Sequence, residues 1–380
     1  MKNISLILLS AGESSRFKLP IKKQWLRIND KPLWLSVVEK FQSLNMFQNI
    51  ILTAHKDEVS FFRNFTNIKI VAGGNSRQNS IKNALSEIDS EFVMISDIAR
   101  CFIPKDMIFR LIENIPNGDI IVPFLPISDT VVFDGKNINR EHLKIVQTPQ
   151  ISTTSILKKL IQETSQEFTD ESSLFFANGF KRFFVSGDKK AEKLTYISDI
   201  TSSDCFQKPV SNNILIGNGF DVHQFEFDDS PLKLGGVEIK SPFSFKAHSD
   251  GDVLIHSLID SILGASGIGD IGEMFPDNDE KYRGADSVEL LKIVLKTITN
   301  IGLEINNIDI TVMAEIPRLK KYKMEIREKL SQILDVPKFL VNVKATTTEK
   351  LGFIGRKEGV AVLSSVSLKY INWRELINEL

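Results

Sequence analysis

Short apolar runs punctuate the first half of the chain: Ile4–Leu9, Ile50–Thr53, Ile68–Val71, Phe92–Ile95 and Ile120–Val122. Each has the length of a strand and is mostly apolar, as expected when both faces are covered. Helical patterns separate them, so this half predicts a mainly parallel sheet with helices on both faces. Ligands of such sheets bind beyond the carboxyl ends of the strands. Ser198 to Asn213 is polar, poorly periodic and contains Pro209, and reads as a linker. The pattern then changes. Asp286-Ser287-Val288-Glu289 has the form of a capping box opening a helix over Val288–Ile298. Ile308, Ile310 and Val312 alternate with polar or exposed positions, Val341 and Val343 repeat the pattern, and Ala361–Leu368 is a last strand. The expectation is an α/β chain: a Rossmann-like sheet over residues 1–208, joined to an α+β unit over residues 214–380.

Composition narrows the class without deciding it. The chain has 380 residues, 42% of them hydrophobic and 25% charged, enough for two cores of ordinary globular character. A net charge of −1 gives no basic surface for nucleic acid or membrane. Cys101 and Cys205 are too few for a disulfide framework and fit a reducing cytoplasm. Lys2 and Ile4–Leu9 faintly resemble a signal peptide, but the apolar stretch is too short, and a buried first strand explains it better. No stretch is long enough to span a membrane.

The strongest chemical signal lies in the second half. Asp221 and His223 are two apart, so on a strand they share a face. His248-Ser249-Asp250-Gly251-Asp252 and then His256 follow closely, and three of the chain's five histidines fall in this stretch. A solitary histidine is usually a core or surface residue, but this pattern is long and tightly spaced. Asp221, His223 and His256 make a chemically sensible zinc or manganese site with one position open to substrate.

A second signal follows the first strand. Ser10-Ala11-Gly12-Glu13-Ser14-Ser15-Arg16-Phe17 matches neither the P-loop nor the dinucleotide fingerprint. A small-residue turn at a helix start still exposes backbone N–H groups suited to a triphosphate, and Arg16 and Lys23 add positive charge. This loop, with Lys22-Lys23-Gln24-Trp25-Leu26, Gly73-Gly74-Asn75-Ser76-Arg77-Gln78-Asn79-Ser80, Ser96-Asp97-Ile98-Ala99-Arg100, Ser128-Asp129-Thr130, Arg140, Gln147-Thr148-Pro149-Gln150 and Thr169-Asp170-Glu171-Ser172-Ser173, forms an ordered set. It resembles the 2-C-methyl-D-erythritol 4-phosphate cytidylyltransferases of the non-mevalonate isoprenoid pathway, over about residues 3–200. The resemblance implies that Arg16 and Lys23 hold the CTP phosphates, with Gly12 and Ser80 at the nucleotide. Asp97 would hold Mg²⁺, since a hard cation prefers carboxylate oxygen. Thr130, Arg140 and Lys193 would cradle methylerythritol phosphate. Lys22 stands in place of the family's proline, Ser14 in place of a loop glycine, and Ile98 and Cys101 in place of alanine and proline.

The second unit resembles 2-C-methyl-D-erythritol 2,4-cyclodiphosphate synthase over about residues 214–372. The matching runs are Gly219-Phe220-Asp221-Val222-His223, Lys246 to Asp252, Gly269-Asp270-Ile271-Gly272, Phe275-Pro276-Asp277, Lys344 to Phe353, Gly355-Arg356 and Glu358-Gly359. The resemblance implies Zn²⁺ or a similar divalent metal on Asp221, His223 and His256. Glu349 would hold Mg²⁺ bridging the substrate phosphates, and His248 and Ser249 would close over the methylerythritol diphosphate. Ala345, Thr346 and Thr347 would contact the cytidine diphosphate end, Ala314 to Lys320 would form a cytosine pocket, and Phe353 and Arg356 would complete the binding set. His248 and Thr347 count among the expected catalytic residues. Asp252, Asp260, Asp270 and Asp277 would shape the metal surroundings or the substrate pocket, with helix capping an equal reading for Asp260.

Together the resemblances imply one chain with two activities. CTP and methylerythritol phosphate would give CDP-methylerythritol and diphosphate. CDP-methylerythritol 2-phosphate would give the cyclic diphosphate and CMP. The synthase unit is expected to be a trimer with sites between subunits, and a hexamer would also accommodate a dimeric first unit. Two rivals remain: a looser sugar-phosphate nucleotidyltransferase fused to a metal phosphohydrolase, and a non-catalytic nucleotide sensor.

Overall fold

The computed structural model describes residues 3–378 except 202–205, 207–208, 228–230, 247–249, 277, 280–281 and 283. Cys205, His248, Ser249 and Asp277 lie outside the described residues. The chain divides into two compact units, Met1–Pro209 and Val210–Leu380. No helix among the described residues is long and apolar enough to cross a membrane.

The apolar runs of the first unit are its strands. They are β1 (Ile4–Leu9), β2 (Asn49–Ala54), β3 (Lys69–Ala72), β4 (Phe92–Asp97) and β5 (Ile120–Pro126). β6 (Lys144–Val146), β7 (Gln150–Thr153) and β8 (Arg182–Ser186) complete the sheet. The order is β6-β5-β7-β4-β1-β2-β3, with β8 also on β5. β1 runs parallel to β2 and β4, and β8 parallel to β5, while β7 and β6 are antiparallel to their neighbours. Leu6, Ile7 and Leu8 are all fully buried, so consecutive side chains on opposite faces are covered, which is why the run carries no polar alternation. The longer helices of this unit are α1 (Leu33–Gln42), α2 (Arg77–Leu85), α3 (Lys105–Glu113), α4 (Thr154–Glu163) and α5 (Glu171–Ala177). Ile81, Ala84 and Leu85 of α2, Leu157 and Leu160 of α4, and Phe175 of α5 pack into one cluster with Ile7, Ile51, Val93 and Val122.

The expected linker is partly built into the fold. Ser198–Thr201 is a short helix, and Ile200, Phe206 and Val210 are buried. The Pro209 carbonyl accepts from Asn29 N–H at 3.1 Å. Isolated apolar residues in an otherwise polar segment anchor it, a signal that periodicity does not reveal.

The second unit carries β9 (Ile214–Glu226), β10 (Leu232–Leu234), β11 (Val237–Ile239), β12 (Ser244–Phe245), β13 (Leu303–Met313), β14 (Val341–Thr346) and β15 (Gly359–Tyr370). The main sheet is ordered β12-β9-β15-β13-β14, and β10–β11 is a separate hairpin. α6 (Val253–Ser266), α7 (Ser287–Asn300) and α8 (Lys323–Leu334) are its longer helices. Gly217 and Gly219 of β9 admit α6 at very close range. A Cβ on Gly219 would lie 1.9 Å from the Ser257 carbonyl, and one on Gly217 would lie 2.2 Å from that of Ser261. Helix α7 begins one residue earlier and ends two later than the pattern predicts, and its capping box is half formed. Asp286 accepts from Val288 N–H at 2.8 Å, while Glu289 turns outward to Lys292.

Candidate active sites

At the carboxyl ends of β1, β2 and β4 a cavity of about 440 Å³ opens in the first unit. Its lining includes Gly12, Lys23, Ser80, Asp97 and Lys193 from the sequence reading, together with Glu13, His55 and Arg77. The loop after β1 does not lead into an α-helix as expected. Ser14 and Lys18 are left-handed, with φ of 57° each, and enclose a single 3-10 turn, Ser15–Phe17. Ser14 takes the conformation that glycine adopts without cost and ties the loop with its side chain. Its Oγ donates to Gln24 Oε1 at 3.1 Å and accepts from Lys23 N–H at 3.1 Å, and Gln24 Nε2 donates to the Gly12 carbonyl at 3.1 Å. The replacement of the loop glycine by serine therefore leaves a pinned loop.

Charge is arranged around Asp97. Lys193 Nζ lies 2.8 Å from Asp97 Oδ2 and Arg77 Nε lies 3.5 Å from Oδ1. Arg77 is itself held by Glu171, bidentately, with Nη2–Oε2 at 3.2 Å. Burial raises the Asp97 pKa, but Arg77 and Lys193 outweigh it and hold the carboxyl down at about 2. Lys23 is pushed the other way. Burial, reinforced by the nearby Lys193 charge, lowers its ammonium to about 8. Its Nζ donates to the Leu194 carbonyl at 3.1 Å. Ser80 is buried and its hydroxyl is already used, donating to the Ser76 carbonyl at 2.9 Å and accepting from Gly74 N–H at 3.1 Å. It shapes the loop that lines the cavity. Arg77 and Glu171 belong to the matched runs, but the resemblance implies no role for them. The signal for them was their charge, but only the fold shows that residues 94 positions apart meet.

Arg16, Thr130 and Arg140 are exposed and do not line this cavity. Arg16 is close enough to depress the Lys23 pKa. Arg140 donates to the Ser128 carbonyl and follows a small hairpin, Val131–Phe133 with Lys136–Ile138. The expected methylerythritol phosphate set is thus divided, with Lys193 in the cavity and Thr130 and Arg140 on the excursion.

In the second unit Asp221, His223 and His256 converge, with one donor atom from each lying within 4.8 Å of the others. Asp221 and His223 lie on the face of β9 that meets α6, and His256 comes from the first turn of α6. Asp221 Oδ2 is 3.3 Å from His223 Nδ1 and 3.2 Å from His256 Nδ1. His223 Nδ1 is buried and makes no hydrogen bond. An orphaned ring nitrogen facing a carboxylate and a second imidazole is the donor set of a borderline metal such as zinc, so the residues fit the ion the sequence implies.

Around the triad the acids act chiefly as caps. Asp252 is buried and accepts from Ile255 N–H at 3.1 Å, Gly235 N–H at 2.8 Å and Gly236 N–H at 2.7 Å, fastening the β10–β11 turn to the start of α6. Asp260 accepts from Ile271 N–H at 2.8 Å, and Asp270 caps Glu273 N–H at 2.8 Å. Asp250 joins Lys233 Nζ at 3.1 Å and Ser287. Burial raises the Asp250 pKa, and Ser287 and Lys233 bring it below the ordinary value.

The expected substrate-binding segments gather at the ends of β13 and β14. Ala314 N–H donates to the Thr346 carbonyl at 3.0 Å, and Glu315 Oε1 accepts from Thr348 and Lys350 N–H at 3.2 and 3.1 Å. The 314–320 loop therefore abuts the exposed stretch Ala345, Thr346, Thr347 and Glu349, with Thr347 Oγ1 donating to Glu349 at 3.0 Å. Phe353 and Arg356 follow, both exposed, with Arg356 Nε on Glu358 at 2.9 Å. Within one chain this group does not join the metal triad. β15 and β13 intervene between β9 and β14, about 14 Å at ordinary strand spacing. Glu349 is not part of the metal-ligating group.

A parallel-sheet nucleotide cavity and a separate Asp/His/His centre on one chain define a two-domain α/β enzyme. The family model for 2-C-methyl-D-erythritol 4-phosphate cytidylyltransferase matches residues 4–208, and the YgbB family model matches residues 214–369. The bifunctional enzyme IspD/IspF of Sulfurimonas denitrificans is 49% identical over 377 residues, covering 99% of this chain and 97% of that protein. Its counterpart in Campylobacter jejuni subsp. jejuni serotype O:23/36 is 49% identical, covering 99% of this chain and 100% of the relative. The solved structure of the bifunctional IspDF from Campylobacter jejuni superposes with a TM-score of 0.84 at 48% identity, covering 98% of this chain and 100% of that one. The chain belongs to the bifunctional IspD/IspF family, enzymes of the MEP isoprenoid pathway that unite a cytidylyltransferase with a cyclodiphosphate synthase.

Proposed function

We propose that residues 1–208 perform cytidylyl transfer in the Lys23–Asp97–Lys193 cavity and residues 214–380 perform cyclisation at the Asp221/His223/His256 centre. In the first reaction a phosphate oxygen of 2-C-methyl-D-erythritol 4-phosphate forms a bond to the α-phosphorus of CTP, and the α–β bridging bond breaks to release diphosphate. Charge stabilisation and positioning carry such a transfer, without a covalent nucleophile. Lys23 and Lys193 supply positive charge inside the cavity, and Arg16 adds an exposed one at its margin. The Ser14–Gln24 staple and Ser80 hold the loops whose N–H groups line it, with Gly12 at the nucleotide. Thr130 and Arg140 present a cationic excursion to the second substrate. Asp97 is ionised and lines the cavity, so it fits Mg²⁺, which binds through one or two carboxylates plus substrate phosphates and would neutralise phosphate charge.

In the second reaction the 2-phosphate of CDP-methylerythritol 2-phosphate forms a bond to its own β-phosphorus and CMP leaves. Two anionic phosphates must be brought together against their repulsion. Asp221, His223 and His256 would hold Zn²⁺ or a similar divalent ion, which would withdraw charge from the terminal phosphate. Glu349 would offer an oxygen to Mg²⁺. His248 and Ser249 would cover the substrate, and Thr347, with Ala345, Thr346, Phe353 and Arg356, would receive the cytidine diphosphate end. Because β15 and β13 separate the triad from that segment, the complete site would form between copies of the chain. The outer face of β9 and β15 supports a trimeric core, with Ile216, Phe220, Val222 and Leu363 exposed on it. A hexamer would also satisfy the first unit. The reactants are small phosphates, nucleic acid has no role, and the cysteine content suits the cytoplasm.

One observation carries this reading: the same chain holds a cation-lined cavity around a buried carboxylate and a distinct cluster of three side chains able to ligate a metal. Phosphorus NMR of the protein with Mg²⁺, CTP and methylerythritol phosphate should show diphosphate and the CDP-alcohol appearing together. Free orthophosphate in their place would favour the hydrolase alternative, and an unchanged spectrum the nucleotide sensor.

A further inference from the structure

His256 is held from both sides. Its Nδ1 lies 3.2 Å from Asp221 Oδ2, and its Nε2 lies 3.0 Å from Ser287 Oγ at the start of α7. Ser287 is fully buried, and its hydroxyl is hydrogen-bonded to Asp250 Oδ1, which also accepts from the Ser287 N–H at 3.3 Å. The other carboxylate oxygen of Asp250 faces Lys233 Nζ at 3.1 Å. Proton counting fixes the directions. A serine hydroxyl has one proton, and the Asp250 carboxylate can only accept, so the Ser287 proton goes to Asp250. Ser287 Oγ then offers only lone pairs to His256, and Nε2 must carry a proton and donate it. In a neutral ring Nδ1 is left with a lone pair, aimed at a carboxylate oxygen that His223 Nδ1 also approaches at 3.3 Å. A cation placed between these facing acceptors would satisfy them together.

We propose that Ser287, Asp250 and Lys233 form an outer relay that locks His256 as the Nε2–H tautomer and turns Nδ1 toward the metal position, making Ser287 and Asp250 positioning residues for the metal ion. The proposal rests on the metal reading of the second unit and deepens it. The relay ties together three separate elements. Lys233 comes from β10, Asp250 from the segment before α6, and Ser287 from the first turn of α7. Asp252 fastens the turn after β10 to the N-terminus of α6 as well, so the ring one turn into α6 is referenced to a fixed frame. A histidine ligand whose second nitrogen is so held loses less ring-rotation freedom on binding and is a better donor. The sequence shows Ser287 only as part of a helix start, and Asp250 only as a member of a run.

The test uses the full-length protein. Zinc affinity is measured by competition with a chromogenic chelator for the wild type, Ser287→Ala and Asp250→Asn. Ring tautomers are read by long-range proton–nitrogen NMR on zinc-loaded, histidine-labelled wild type. Ser287→Ala should weaken zinc about 10- to 100-fold, in line with the loss of such outer partners, and Asp250→Asn should weaken it by a smaller factor. The wild-type spectrum should show His256 protonated at Nε2 and metal-shifted at Nδ1. A wild type that binds zinc tightly but has His256 protonated at Nδ1, or a Ser287→Ala protein with unchanged affinity, overturns the relay and leaves the metal site standing. A wild type that does not bind zinc overturns the metal reading and the relay with it. The NMR arm needs no variant, so misfolding of a mutant does not remove the test.

Discussion

Lys23 is the residue whose environment speaks most directly to chemistry. An ammonium at about 8 loses its charge as pH rises through that value, whereas an unperturbed lysine would stay charged past pH 10. In the free enzyme, kcat/KM for CTP should therefore fall on the alkaline side with a midpoint near 8, since that ratio reports groups of the unliganded protein. Lys23→Ala should lower cytidylyl transfer by roughly 10² or more and abolish that alkaline limb. A mutant keeping wild-type diphosphate release, or a wild type with a flat profile from pH 7 to 9.5, would contradict the assignment. Lys22, one residue earlier, does a different job. Its ammonium is buried 2.7 Å from Glu58 Oε1 and 3.1 Å from Glu13, and Trp25 Nε1 donates to Glu58 at 2.9 Å. Lys22→Met should leave Glu58 buried without its counter-charge and cost about 3–5 kcal/mol. The urea midpoint checks it, and adding Glu58→Gln, which removes the buried charge but still accepts from Trp25 Nε1, should recover most of the loss. An unshifted midpoint in the single mutant would mean the pair is not stabilising.

At the scale of elements, β9 and α6 decide whether the metal ligands meet. The period of two in Asp221-Val222-His223 was legible in the sequence and places both side chains on one face. The approach of His256 was legible only as spacing. What made it close, the pair of glycines that lets α6 settle on β9, was not, because a glycine advertises absence and its partner lies some 40 positions away in sequence. The same limit hid the Glu171–Arg77–Asp97 chain and the Ser287–Asp250 contact, which depend on long-range approach. Unbroken apolar runs were the most legible feature, since a strand covered on both faces writes its burial locally. The loop after β1 departs from the expected helix start for a local reason. Two left-handed residues, Ser14 and Lys18, shorten the expected helix to one turn. Gly219→Ala tests the packing argument. Its methyl would fall 1.9 Å from the Ser257 carbonyl, so helix or strand must move. A loss of about 1–3 kcal/mol in urea unfolding is expected from overpacking, together with weaker zinc binding. A wild-type midpoint would show that α6 is not pinned as described.

For the whole molecule the question is which features of one chain require another. The Asp221/His223/His256 triad is complete within one chain, but the segment from Ala345 to Glu349 is separated from it by two intervening strands. The outward side of β9 carries Ile216 and Phe220, 73% and 57% exposed, and Leu363 pairs with Phe220 across the β9–β15 ladder at 44% exposure. An antiparallel sheet facing water ordinarily shows polar residues on that side, and the proposed trimer would bury this apolar face. Phe220→Glu places a charge in the middle of the apolar group while leaving α6 and the inward-facing ligands untouched. The variant should run as a smaller species by light scattering. It should lose cyclisation by about 10²-fold or more, as expected when substrate-orienting groups are no longer brought together. Zinc affinity should hold, since all three ligands come from one chain, and cytidylyl transfer should stay within about twofold because sites with no shared partners act independently. A Phe220→Glu protein of wild-type size and full cyclising activity would refute the composite site. Loss of zinc along with cyclisation would instead indicate that the strand itself had been damaged, and Phe220→Ser would then be the milder substitution to carry the same comparison.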